Sequence, residues 1–416
     1  MSLPTPTDRR SSRITALDSL RGFGATGVLV SHVTFATGAV GDPTWGPWFS
    51  RLEVCVHFFF VLSGFVLFRP FAQANATGAP RPGIRRHLWR RSLRIVPAYW
   101  VLAVISLTLL VDEIPPWTTW LSHLTLTQFY SSGRLLPGVG PAWTLTVEIA
   151  FYALLPLVAL VTLFRTWRPR RTVLLLSLSV PVTLAWISMV GVGWLNVYMH
   201  PLWIPTYAAC FAAGMALATA HVALRTGTAP RRWHLLDEVS RAPWACWTVA
   251  GGLVAISTTP IAGPLGGLGI PNGWEMATKN VLYLGAAVAF VLPAAFGPPT
   301  TLKRMLDHPV LRWVGTVSFG LFLWHVVVID VAAYVYGPLL GKDSLPLVLV
   351  TMAGGIVLAT ISYYAIERPL QDWGRNLWSG RRRTDAGAGR PDPQKGNGQY
   401  PGELRDSRPV TVLSGQ

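Results

Sequence analysis

Charge is what this sequence has least of. Of 416 residues only 13% are Asp, Glu, Lys or Arg, and just 19 are acidic, where a soluble domain carries about a quarter charged residues. That deficit excludes an ordinary soluble chain. Cysteine is scarcer still: Cys55, Cys210 and Cys246 lie far apart and form no CxxC pair, which excludes a zinc site or a disulfide framework and leaves them as packing residues. There is no internal repeat and no second globular segment.

What the chain has instead is 51% hydrophobic residues and a mean hydropathy of +0.40. Apolar runs of roughly 16 to 22 residues recur throughout, and a helix needs about 20 to cross the hydrocarbon core. They predict an all-α fold, a polytopic membrane helix bundle of about ten transmembrane helices, at 17–37, 54–71, 95–111, 143–164, 173–190, 202–220, 244–259, 281–296, 313–335 and 345–366. One membrane domain then covers 14–375, after an N-terminal tail of 1–13. Beyond it, 376–416 is rich in Gly, Pro, Asp and Arg with little apolar periodicity, and is expected to be a disordered cytoplasmic tail. A basic start and small residues near Ala36 to Ala39 also fit a cleaved signal peptide, but Arg21 and His32 inside the apolar stretch argue for a retained span.

The formal net charge of +16 raises nucleic acid as a partner, and its distribution answers. Basic residues alternate by connection: Arg9, Arg10 and Arg13 before the first span, seven from Arg69 to Arg94 in the second connection, and Arg165, Arg168, Arg170 and Arg171 in the fourth. Arg225, Arg231, Arg232 and Arg241 fill the sixth, Lys303, Arg304 and Arg312 the eighth, and Arg381, Arg382 and Arg383 follow the last span. The intervening connections hold little beyond Arg51, Arg134, Lys279 and Lys342. This is the positive-inside pattern, with both termini cytoplasmic in the plasma membrane. It accounts for the charge without nucleic acid.

An ionisable side chain at mid-membrane costs on the order of 3 kcal/mol on insertion scales, so those inside the spans need a partner or a task. Arg21 and His32 are eleven positions apart, and eleven steps of ~100° return to one helix face with a rise of about 16 Å. Asp18, three residues before Arg21, can hold its guanidinium. Counting inward from the predicted boundaries puts His32 on the first span, Glu148 on the fourth and His325 on the ninth at one depth, about 20 Å from the inner surface. Arg91 and Arg94, three apart at the inner mouth of the third span, share a face. Their planar forks suit phosphate.

The stretches LDSLRG with a histidine eleven after its arginine, FFFVLSGF at 58–65, RSLRIVP at 91–97, WTLTVEIAFY at 143–152, SFGLFLWH at 318–325 and ERPL at 367–370 resemble, in order and spacing, the signatures of the acyltransferase 3 family of membrane O-acyltransferases. The resemblance implies ten spans and transfer of an acyl group, commonly acetyl, from acetyl-CoA to a hydroxyl of an envelope glycan, a lipid-linked sugar or a macrolide. It makes Arg21 and His32 the family's arginine–histidine motif, Arg91 and Arg94 its paired arginines and Glu148 its membrane glutamate. His57 stands where many members have aspartate, and Thr144 where serine is usual.

On that footing Arg91, Arg94 and Arg21 hold acyl-CoA as co-substrate, with no metal and no permanently bound cofactor. His32 is the general base, since an imidazole near pKa 6.5 accepts a proton at neutral pH, and Glu148 orients its ring. His325 binds the acceptor or packs, and Ser63 donates to the oxyanion or packs between helices. The rival reading is a proton-coupled transporter or flippase using the same His and Glu, against which stands the lack of paired broken spans in related halves. A purely structural membrane protein has no use for three ionisable groups in lipid.

Overall fold

The computed structural model describes residues 14–131, 136–265, 269–298, 300–340 and 344–387. The tail 1–13, residues 388–416, Arg134 and Lys342 lie outside them. Among the described residues the structure is all-α. Its long helices are α1 Ala16–Ala36, α2 Val54–Thr77, α3 Ile84–Leu109, α4 Trp143–Thr162, α5 Pro169–Gly191, α6 Ile204–Arg225, α7 Pro243–Ser257, α8 Gly273–Phe296, α9 Pro309–Leu340 and α10 Ser344–Ser362. Each coincides with a predicted span.

Among the described residues, eight segments are long and apolar enough to cross a membrane by length and composition, and the two predicted spans outside that set are α1 and α7. The reasons are physical. α1 carries Asp18, Arg21, His32 and three glycines, which dilute its hydropathy, and α7 has 15 residues, a rise of about 22 Å. α3 starts eleven residues before the predicted span; the basic cluster extends the helix by about three turns, so Arg91 and Arg94 lie inside it. Helix Arg368–Gly387 runs into the stretch expected to be disordered from 376. Arginine and leucine are good helix formers, and the Gly- and Pro-rich composition begins only beyond it.

The chain divides into residues 1–374 and 375–416; the described part of the second is helical. Within the first, the segments carrying α2 and α6 are 72% and 78% buried, against 22% for α5, so α2 and α6 form the centre. Glycine makes that centre possible. A Cβ on Gly64 meets the Phe211 carbonyl and one on Gly214 meets the Val61 carbonyl, so the two backbones touch as small-residue helix pairs do. We expect Gly214→Leu to leave little monodisperse protein by size exclusion in detergent, while a leucine at Gly251, which faces open space, has no such effect.

A second glycine contact sets the register of the site. Gly315 of α9 lies against the Asp18 backbone of α1, Ser19 Oγ donates to the Leu306 carbonyl at 2.5 Å, and Thr37 Oγ1 and Ser344 Oγ at the far end are 2.7 Å apart. With His32 beside His325 farther along both helices, α1 and α9 run parallel.

Candidate active site

Five helices enclose a cavity of about 710 Å³, part of it open to the surroundings. α1 contributes Arg21; α2 contributes Val56, Phe59, Phe60, Ser63 and Leu67, one face at helical spacing. α3 adds Arg91, Arg94 and Ile95, α4 adds Thr144, Leu145, Glu148 and Tyr152, and α9 adds Ser318, Phe319 and Phe322. Three guanidiniums face one carboxylate. The field inside is positive, as an anion site requires.

These charges are held in place. Arg21 Nη1 lies 3.5 Å from Asp18 Oδ1 with both side chains 15% exposed, and Arg21 feels Arg94 as a like charge and Glu148 as an opposite one. Glu148 Oε1 accepts from Ser63 Oγ at 3.1 Å and from the Tyr152 hydroxyl, while Arg91 sits over the Tyr152 ring at 5.9 Å. A chain of contacts thus runs Arg91, Tyr152, Glu148, Ser63 across α3, α4 and α2. The Ser63 hydroxyl, weighed from sequence as an oxyanion donor, points its hydrogen at this carboxylate. Glu367, 3% exposed, accepts from Ser362 at 3.3 Å and faces Arg94 as an opposite charge. It lies in a π-helical turn, Tyr363–Glu367, a distortion that recurs at functional sites.

The two histidines sit together, apart from Glu148. His325 Nε2 is 3.3 Å from His32 Nδ1, with ring centroids 5.0 Å apart at 61°, and the ring's partner is thus His325 where the sequence suggested Glu148. The expected single depth gives way for a traceable reason. Leu136, Val139 and Ala142 ahead of α4 are buried, and the Gly138 amide, at a positive φ of 74°, donates to Asp330 Oδ2 on α9 at 2.8 Å. α4 therefore starts inside the bundle, and Glu148 lines the same cavity as Arg21. His32 is about 16 Å farther along α1. Phe322 joins the two parts: it lines the cavity, and its ring centroid lies 5.8 Å from that of His325 and 6.1 Å from that of Phe59.

Tyr152, Phe59, Phe322 and Glu367 were missed from sequence. Tyr152 was findable, since it is four residues after Glu148 and so on the same face. Of the two departures noted, Thr144 lines the cavity with its hydroxyl donating to the Pro141 carbonyl at 3.0 Å, and His57 packs between Tyr207 and Tyr283.

Known proteins resemble this chain over most of its length. A family model described as an acyltransferase domain matches residues 14–366. Nodulation protein 10 of Rhizobium leguminosarum bv. viciae is 25% identical over 384 residues, 85% of this chain and 92% of that protein. The exopolysaccharide production protein ExoZ of Rhizobium meliloti is 28% identical over 346 residues, 80% of this chain and 93% of that one. The peptidoglycan O-acetyltransferase OatA of Listeria monocytogenes is 21% identical over 385 residues, 86% of this chain and 56% of that protein. No solved structure matches.

Proposed function

The chain belongs to the acyltransferase 3 family of multi-pass membrane enzymes, and on that premise we propose that it moves an acetyl group from cytoplasmic acetyl-CoA to a hydroxyl of an envelope glycan, a lipid-linked sugar or a macrolide. One observation carries this reading: three arginines from two helices converge on a single cavity with one carboxylate among them. The anion they fit is the phosphate-rich end of coenzyme A. Guanidinium forks bind phosphate bidentately. The acceptor class is supported by the names of the relatives, which concern peptidoglycan and exopolysaccharide.

The orientation follows the charge pattern, with Arg91 and Arg94 at the cytoplasmic mouth. The parallel course of α1 and α9 supports counting α7 as a crossing: with α2 to α6 and α8 also crossing, α1 and α9 point the same way only if α7 crosses too. In this reading the chain makes ten passes, and the charge pattern supports a cytoplasmic side for both termini.

In this reading Arg21, Arg91 and Arg94 bind the phosphates, Asp18 holds Arg21, and the pantetheine arm extends past Phe59 and Phe322 toward His32. His32 takes the proton of the acceptor hydroxyl as its oxygen attacks the thioester carbon. The C–S bond breaks, and the proton passes to the departing thiolate, leaving an ester and free coenzyme A. Glu148 offsets the arginine charge and fixes Ser63 and Tyr152 at the cavity wall.

The test is label transfer. Membrane vesicles containing the protein, given acetyl-CoA labelled in the acetyl group at their cytoplasmic face, should place label on an extractable envelope glycan, and vesicles without the protein should not. A transporter or flippase leaves no covalent label, and that result removes this reading.

A further inference from the structure

Resting on the reading of His32 as the base, we propose that His325 is a positioning residue that, together with the Val28 carbonyl, holds the His32 ring in the tautomer and orientation whose Nε2 can accept a proton. The hydrogen positions follow from the partners. His325 Nδ1 lies 2.7 Å from the Phe322 carbonyl oxygen, which can only accept, so that nitrogen carries the hydrogen and a neutral ring leaves Nε2 with a lone pair. His32 Nδ1 lies 2.9 Å from the Val28 carbonyl oxygen, so it too carries a hydrogen. That N–H faces the bare Nε2 of His325 at 3.3 Å and is shared between the two acceptors. The remaining atom, Nε2 of His32, is left with a free lone pair.

The burial of the rings sets this pair apart. Among the described residues, the histidine nitrogens sealed without a partner belong to His57, His87, His123 and His221. His325, 0% exposed, has both nitrogens bonded, and His32 Nε2 is not among the sealed ones. One histidine is thus satisfied at both ends by a carbonyl and a second imidazole, and the other keeps a reactive nitrogen open. The Gly315 contact with the Asp18 backbone holds the two helices in the register this bond needs.

The chemistry has a precedent in metal-bound and catalytic histidines, whose second nitrogen is fixed by a neighbouring acceptor. Here the acceptor is neutral. His325 therefore reinforces the tautomer that the Val28 carbonyl requires and fixes the ring's orientation, without adding negative charge beside a ring that becomes an imidazolium during transfer.

The experiment measures purified protein in nanodiscs with acetyl-CoA and the acceptor identified by label transfer. His325→Leu removes the acceptor atom and should lower kcat by about 10- to 100-fold, the scale on which a ring's outer partner acts, with KM for acetyl-CoA within about twofold because the arginine cavity is untouched. His325→Gln, whose amide oxygen reaches the place of Nε2, should recover most of that loss. In a His32→Ala background, His325→Leu should cost nothing further, since the two act as one unit. Wild-type kcat in His325→Leu alongside an inactive His32→Ala overturns this inference and leaves the proposed reaction standing. An active His32→Ala overturns the base assignment itself. Equal rates for the Leu and Gln variants assign His325 to packing alone.

Discussion

His32→Ala abolishes acyl transfer while the protein still inserts and stays folded. A positioned general base contributes about 10²- to 10⁴-fold, and alanine offers no substitute lone pair, so kcat should fall by at least two orders of magnitude. Binding should hardly change, because Arg21 lies about 16 Å away along α1 and His32 is not part of the cavity that the three arginines line. The structural cost is bounded. Removing the ring leaves His325 Nε2 buried without its donor, a loss of about 1–3 kcal/mol, whereas α1 keeps its glycine contact with α9 and its bonds to Leu306 and Ser344. The measurement is turnover per folded molecule, with monodispersity checked on the same sample. A variant that turns over at near the normal rate would rule out His32 as the base.

What could be read from the sequence was whatever depends on one helix at a time. The ten apolar runs found their helices because burying a helix in lipid needs only length and composition. Arg21 and Asp18 met because they are three apart, and Arg91 and Arg94 shared a cavity because they share a helix face. The His32–His325 bond was not legible, since it depends on where Gly315 lets α9 slide against α1, a contact between residues nearly 300 positions apart. That Glu148 shares a cavity with Arg21 and not with His32 was not legible for a related reason. Depth was counted from the end of an apolar run, and the buried turn from Leu136 to Ala142 starts α4 inside the bundle. Tyr152 and Glu367 show the same division: the first was one helical turn from a residue already singled out, the second needed the fold to bring it to Arg94.

Replacing Arg91 and Arg94 together by alanine raises KM for acetyl-CoA by about 100-fold or more and leaves KM for the acceptor nearly unchanged. A hydrogen bond to a charged group is worth about 1.5–3 kcal/mol, so each arginine alone should account for about 10- to 100-fold. The loss falls on KM because phosphates far from the thioester are held equally in the ground and transition states. The two single variants should differ. Arg94→Ala removes a guanidinium whose nearby opposite charge is Glu367, and its effect should be confined to the donor. Arg91→Ala also strips the cation from the Tyr152 ring, loosening the Tyr152 bond to Glu148, and some loss of kcat should accompany it. Lysine should recover only part of either loss, since an ammonium lacks the planar fork, and the lysine variants should lose affinity faster than the wild type as salt rises. The cavity stays positive in every single variant, because two guanidiniums still face one carboxylate, so a general collapse of the site is not the expected cause. If KM for acetyl-CoA stays put in the double variant, the paired arginines serve membrane orientation and the phosphates bind elsewhere.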